Sequence, residues 1–197
     1  ADNLISADVV LADGRFVKAS AESHPDLFWA LRGGGGNFGV VTSFTFRCHP
    51  VGEQGVIIGG PVLYDIADVE DLFRWYRELL PALPEELSGW IGVTVIPSGP
   101  PFPEHLWARK AGIIVWCYTG SHAKADEVLA PIRDFGDPLL VGLAPMPYSV
   151  LQSAFDALLP TGLQWYWKVD FFEEVTDEAI GVHRRYGESI PTALSTM

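Results

Sequence analysis

Four consecutive glycines, Gly33 to Gly36, stand just ahead of a fifth, Gly39, so that Gly34, Gly36 and Gly39 satisfy the spacing G-x-G-x-x-G. Bare amides at such spacing can approach a phosphate or a flat ring closely, because no Cβ stands in the way. A dinucleotide fingerprint, however, follows a strand and opens a helix, so that the pyrophosphate rests on the helix N-terminus. Here the order is reversed. Residues 26–31 read as a helical turn or two, and Val40-Val41-Thr42-Ser43-Phe44-Thr45-Phe46 reads as a strand. No Lys-Ser or Lys-Thr follows the glycines, which excludes a phosphate loop of the Walker kind. Two readings remain: a bare peptide surface against which a ligand lies, or a turn that only packs helix to strand.

Side-chain chemistry is harder to place. The five histidines, His24, His49, His105, His122 and His183, show no His-x-x-x-His or His-Glu spacing, so no metal site is expected. No Gly-x-Ser-x-Gly elbow exists, which leaves a serine triad without a nucleophile position. Cys48 and Cys117 lie in β-prone runs outside any metal or Cys-x-x-Cys spacing and read as buried free thiols. Acidic residues fall mostly on helix starts and exposed faces, and no pair stands out as acid and base. One run mixes polar and aromatic residues at strand period: Gln164-Trp165-Tyr166-Trp167-Lys168-Val169-Asp170-Phe171-Phe172. Alternation sends Gln164, Tyr166, Lys168 and Asp170 to one face and Trp165, Trp167 and Val169 to the other. The first face can line a substrate cavity, which makes Tyr166 and Lys168 candidate substrate contacts. Tryptophans packed on helices behind a solvated face account for the same letters.

The elements that must position these residues can be read from pattern. Ser23-His24-Pro25-Asp26 opens the short helix, with Ser as cap and Pro in the first turn, and turns Phe28 and Leu31 inward. Val40, Thr42, Phe44, Phe46 and Cys48 alternate with Ser43, Thr45 and Arg47, so the strand has one buried face, and Pro50 ends it. Upstream, residues 4–11 and 15–19 flank Asp13-Gly14 as a β-hairpin. Downstream comes a strand over 55–63, then Ile66, Val69, Leu72, Phe73, Tyr76, Leu79, Leu80 and Leu83 at helical spacing, with Glu70 four residues before Arg74. Strands over 90–96 and 112–118 follow, joined by a Pro-rich loop. Ser121 caps a helix carrying Val128, Leu129, Ile132 and Phe135, Gly136 stops it, and 139–143 is a short strand. Strand, helix, two strands, helix, strand is the ferredoxin-like order, an antiparallel sheet with helices on one face. A helix over 148–158, a strand over 164–172 and a last helix from Thr176-Asp177-Glu178 complete an α+β chain, with a boundary expected between 1–50 and 51–197.

Composition narrows the function classes. A hydrophobic fraction of 48% with seven tryptophans is ample for a core. A net charge of −12 argues against nucleic acid and against an anionic membrane surface. No apolar run is long enough to span a bilayer, and no signal segment opens the chain. A cytoplasmic location is expected, although a signal would be missing from an internal piece. The chain begins with Ala and at once reads as a strand, so it is expected to be a piece of something longer.

The ordered run Asp26-Leu27-Phe28-Trp29-Ala30-Leu31-Arg32-Gly33-Gly34-Gly35-Gly36-Asn37-Phe38-Gly39-Val40-Val41-Thr42 resembles the segment that ends the flavin-binding domain of FAD-linked oxidases of the berberine bridge enzyme type, within the vanillyl-alcohol-oxidase-like superfamily. The hairpin over residues 2–14 resembles the same family in the same order, and Trp165-Tyr166-Trp167-Lys168 followed by Thr176-Asp177-Glu178-Ala179-Ile180 does so more weakly. The resemblance implies that residues 1–50 are the last part of a PCMH-type FAD-binding domain and residues 51–197 an incomplete substrate domain. It implies that Gly34, Gly35, Gly36, Asn37, Phe38, Gly39, Val40 and Val41 bind FAD, with main-chain groups around the last three against its adenine end. It also implies hydride transfer to flavin from a C–H beside an alcohol, sugar or amine, a small-molecule substrate, and molecular oxygen as acceptor. The family's flavin-attaching histidine and cysteine, its pyrophosphate loops and its usual base have no counterpart among these residues, so no catalytic residue is carried over, and poor FAD binding is expected of the chain alone. The rival reading is a non-enzymatic ferredoxin-like module that binds a small molecule or a second copy of itself.

Overall fold

The computed structural model describes residues 1–197, which divide after Pro50 into a first unit, Ala1–Pro50, and a second, Val51–Met197. In the first unit, strands β1 (Leu4–Val10) and β2 (Phe16–Ser20) form the expected antiparallel hairpin, with Val9 opposite Val17 and Ala7 opposite Ala19. The turn is held by the Asp13 carboxylate, which accepts from the Arg15 amide at 3.0 Å and from its Nε at 2.7 Å. Helix α1 (Pro25–Leu31) covers one face, and strand β3 (Val40–Phe46) pairs with the other edge of β1, giving the order β2-β1-β3. The core is Leu4, Ala7, Val9, Val17, Ala19 and Phe28, with Leu27, Leu31 and Val41 packed against it. Ser23 does not cap α1. His24 does so in a left-handed conformation, φ 52°, while the Ser20 hydroxyl accepts from the Ser23 and Glu22 amides.

The alternation expected of β3 also fails. Between Asp8 and Val9 the register shifts, so that Ser43 and Val41 are the successive partners and Thr42 is an extra residue. Such a bulge changes which side chains face inward. Val41 therefore joins the core, whereas Val40, Phe44 and Phe46 are exposed. Cys48 lies beyond the strand and is exposed, and Cys117 is half-buried, so neither is the fully buried thiol that the sequence suggests.

The second unit has strands β4 (Val56–Asp65), β5 (Leu87–Val95), β6 (Lys110–Tyr118), β7 (Leu140–Val141) and β8 (Ala144–Pro147), all antiparallel, in the order β5-β6-β4-β7 with β8 also on β4. This is the ferredoxin-like order. Of the expected short strand over 139–143 only Leu140–Val141 forms, as β7; the Gly142 amide then donates to the Pro61 carbonyl at 2.8 Å, and β8 begins beyond the expected range at Ala144. Helices α2 (Val69–Leu79) and α3 (Ala125–Asp134) lie on one face, where Leu72, Leu129 and Ile132 pack on Val62, Tyr64, Ile114, Trp116 and Tyr118. On the opposite face Ile96 and Leu106, with Phe102, pack on Leu63, Ala111 and Ile113.

Local capping follows the chemistry of the sequence. The Asp65 carboxylate accepts from the Ala67 amide ahead of α2, Ser121 Oγ from the Ala123 amide, and Thr176 Oγ1 from the Ala179 amide at the start of α5 (Asp177–Glu188). Arg74 pairs with Glu70 at 3.1 Å, as the four-residue spacing suggests. Helix α4 (Tyr148–Ser153) is shorter than expected, ending in a separate turn at Asp156–Leu158. The strand expected over residues 164–172 does not form. That stretch has no ladder partner in the chain and is irregular and exposed throughout. Strand propensity without a partner leaves every backbone group to water, and a lone strand is not stable.

Leu129→Ala removes a fully buried side chain between α3 and the sheet and is expected to cost about 2–5 kcal/mol, read by denaturant unfolding, while Val150→Ala on exposed α4 should cost less than about 0.5 kcal/mol. In the first unit, Gly39 has φ 136°, and a Cβ there would lie 2.6 Å from the Val10 carbonyl oxygen. Gly39→Ala is therefore expected to lose more than about 1 kcal/mol of stability, seen as a lower melting temperature.

Candidate functional site

The glycine run is built from its two ends. α1 stops at Leu31 because the Arg32 amide turns back to the Trp29 carbonyl at 3.1 Å, and the Gly34 amide donates to the Ala30 carbonyl at 2.8 Å. A tight turn, Gly35–Phe38, then carries the Phe38 ring back over Gly34, where a Cβ would sit 2.5 Å from both that ring and the Ala30 oxygen. Gly39 carries the chain into β3. The helix end, the glycines and the first two residues enclose a recess of about 440 Å³, lined by Ala1, Asp2, Trp29, Ala30, Arg32, Gly33, Gly34 and Phe38. Trp29 is 74% exposed at its rim, and the Arg32 guanidinium stands 4.8 Å over the Phe28 ring.

Of the residues expected to hold a cofactor, Gly34 and Phe38 line this recess; Gly35, Gly36, Asn37, Gly39, Val40 and Val41 run past it in sequence along the same turn and strand. Packing and conformation separate the glycines. Gly34 and Gly39 are required by their neighbours. Gly36 is not: its φ is −85°, which any residue adopts, and a Cβ there would meet nothing within 4 Å. A Cβ at Gly33 or Gly35 would also meet open space, but their φ of 142° and 73° call for glycine on conformational grounds. At Gly36 the turn thus leaves bare peptide where a side chain could have stood, and a group that lies flush with the main chain fits it. Sequence reading missed the aromatic and cationic contribution of Trp29 and Arg32. For Trp29 the signal was present, since placing Phe28 and Leu31 inward turns Trp29 outward, whereas Arg32 follows the helix end and lies over Phe28, four residues back.

Tyr166 and Lys168 are brought to no recess. Tyr166 is 88% exposed, and the division into a polar and a tryptophan face has no meaning in an irregular segment, where Trp167 and Phe171 are 65% and 94% exposed. A shallow polar hollow of about 250 Å³ beside α4 is lined by Ser149, Gln152, Ser153 and Asp156. Burial pushes the Tyr64 hydroxyl up to about 12 and raises the Tyr76 hydroxyl and the Cys117 thiol. No group of three His, Cys, Asp or Glu is placed to hold a metal ion. No helix is long and apolar enough to cross a membrane.

No protein-family model matches the chain. Among curated proteins it is 31% identical over 175 residues to an FAD-linked oxidoreductase of Dictyostelium discoideum, covering 88% of this chain and 35% of that protein. It is 41% identical over 156 residues to the FAD-linked oxidoreductase alt4 of Alternaria solani, covering 76% of this chain and 30% of the relative. The chain thus spans about a third of the length of these relatives. Among solved structures, wild-type BBE-like 1 of Physcomitrella patens superposes with a TM-score of 0.59 at 23% identity, over 76% of this chain and 30% of that one, and shares its fold. The chain is thus similar in sequence to FAD-linked oxidoreductases and shares the fold of a berberine bridge enzyme-like protein.

Proposed function

We propose that the chain is part of an FAD-dependent oxidase in which Ala1–Pro50 ends the PCMH-type FAD-binding domain and Val51–Met197 forms most of the substrate-binding domain. The observation that carries this reading is Gly36, a residue whose missing side chain neither backbone conformation nor packing requires. Gly34, Gly35, Gly36, Asn37 and Phe38 would offer a bare, turned surface to the adenine end of FAD. Gly39, Val40 and Val41 would offer main-chain groups, since β3 pairs on one side only and its outer amides and carbonyls are free to bond a ligand. Bound FAD supplies the two-electron acceptor for a hydride from a C–H beside an alcohol, sugar or amine group, with molecular oxygen as final acceptor.

Charge supports a neutral or cationic substrate. Residues 1–50 hold five acidic and four basic side chains, a net −1, so nearly all of the chain's −12 lies in residues 51–197. A field of that sign disfavours an anionic substrate and leaves a sugar or an amine unopposed. The first unit, close to neutral, does not repel an anionic nucleotide. For Tyr166 and Lys168 as substrate contacts the support is their exposure, which leaves both side chains free to reach a bound molecule.

The test uses the glycine of this turn that neither conformation nor packing requires. Gly36→Ala, placed in the flavin-loaded protein at the length of its relatives, should leave the melting temperature of the apoprotein unchanged and weaken FAD retention by about tenfold or more. Unchanged flavin affinity would remove the reading. The 197-residue chain alone should bind FAD weakly, because contacts to one end leave most of the cofactor in water; a flavin spectrum that copurifies with it would contradict the division of labour proposed here.

A further inference from the structure

We propose that α5 and the residues after it form a strap that opens as one unit while the five-stranded sheet stays folded, and that its latch is ionic. The strap has an apolar seat of modest size. Ile180 and Ile190 are buried against Val69, Phe73, Val93 and Val95, the His183 ring lies 5.3 Å from that of Phe73, and Gly187 comes close against Val93. Past the helix, the Met197 amide donates to the Val93 carbonyl at 3.0 Å and its carbonyl accepts from the Val93 amide at 2.7 Å, so the chain end crosses the outer edge of β5.

The Thr196 hydroxyl also donates to the Val93 carbonyl at 3.0 Å, and the remaining ties are charged and lie along α5. Arg77 of α2 pairs with Asp177 at 2.8 Å and also donates to the Val175 carbonyl at 2.9 Å; Arg74 reaches Asp177 at 3.8 Å. Glu70 faces Arg184 at 3.6 Å, and Lys110 at the start of β6 donates to the Glu188 carbonyl at the C-terminal end of α5, where a cation opposes the helix dipole. The side chains of these ion pairs are partly exposed, so salt screens them. What precedes the strap places no mechanical restraint on it. Residues 159–176 are irregular and mostly exposed, a tether long enough for the helix to leave without disturbing the strands. By contrast, β6 sits between two full-length partners at the centre of the sheet and can open only with the whole unit.

Hydrogen exchange followed by mass spectrometry on the whole chain tests this. The α5 amides should exchange faster than those of β6, and raising NaCl from about 0.02 M to about 0.5 M should speed α5 exchange by about fivefold while leaving β6 unchanged. Arg77→Gln and Asp177→Asn should each speed α5 exchange alone, and the double variant should speed it by less than the product of the two, because the Arg77–Asp177 pair is lost in both. Exchange of α5 and β6 at a common rate, with a common response to salt, would show that the strap is an integral part of the sheet unit. A null effect of Arg77→Gln on α5 would show that the latch is not ionic.

Discussion

Gly39 and the Val10 carbonyl meet so closely that no side chain fits between them, and the first unit is arranged around that approach. A Cβ on Gly39 would stand 2.6 Å from the oxygen and 2.8 Å from a Val9 methyl, in a backbone conformation that only glycine adopts freely. The next residue, Val40, pairs directly with Val10, so the contact fixes where β3 enters the sheet. The other end of the turn is pinned as firmly, by the Gly34 amide on the Ala30 carbonyl and by the Phe38 ring laid on Gly34. Gly35 and Gly36 therefore form an arch between two anchors. The φ of 73° at Gly35 calls for glycine, whereas at Gly36 neither conformation nor packing does, and that difference is what the proposed ligand contact would account for.

In the second unit the comparable constraint is aromatic volume. The Trp116 ring lies between the sheet and α2 because position 89 on the neighbouring strand is glycine, where a Cβ would approach the indole to 2.7 Å. The bared Gly89 carbonyl accepts from the Tyr76 hydroxyl at 2.6 Å, which ties α2 to the sheet through the same spot. Trp75 extends the layer, stacked at 4.1 Å on Phe135 beyond α3. Such a layer is large, apolar and hard to ionise. Burial keeps Tyr64 and Tyr76 neutral at any physiological pH, so this side of the sheet is scaffold.

How much of this could be read from letters depended on whether the deciding partner was near in sequence. The hairpin at Asp13-Gly14, the caps at Ser121 and Thr176, the Glu70 to Arg74 pair and the amphipathic α2 all depend on residues a few positions apart, and each was legible. The order of strands and helices in residues 55–143 was legible too, because hydrophobic period changes at every junction. The bulge at Thr42 was not, since it is set by how β3 meets β1, more than thirty residues away. Residues 164–172 failed for a related reason. Alternation states which side chains would share a face, but says nothing about whether a second strand exists to make a face at all. In the recess, Gly34 and Phe38 are legible by motif, while Trp29 lies on the outer side of a helix whose pattern speaks only for its buried side, and Arg32 is placed by the way the chain leaves that helix.

That pattern of hits and misses follows from the kind of site involved. A nucleophile or a metal ligand advertises itself as a reactive side chain at a fixed spacing, and a search for such groups finds none here that geometry supports. A surface meant to lie against a nucleotide through the main chain is written in the opposite way, as side chains left out. On the proposed reading, the record it leaves is a glycine that no turn or packing demands, as at Gly36, next to an aromatic ring left exposed, as at Trp29, and a cation beside it at Arg32. On the proposed reading a cofactor carries the bond-breaking and the protein has to hold and orient it, a task that backbone left unfilled at Gly36 can serve as well as any side chain.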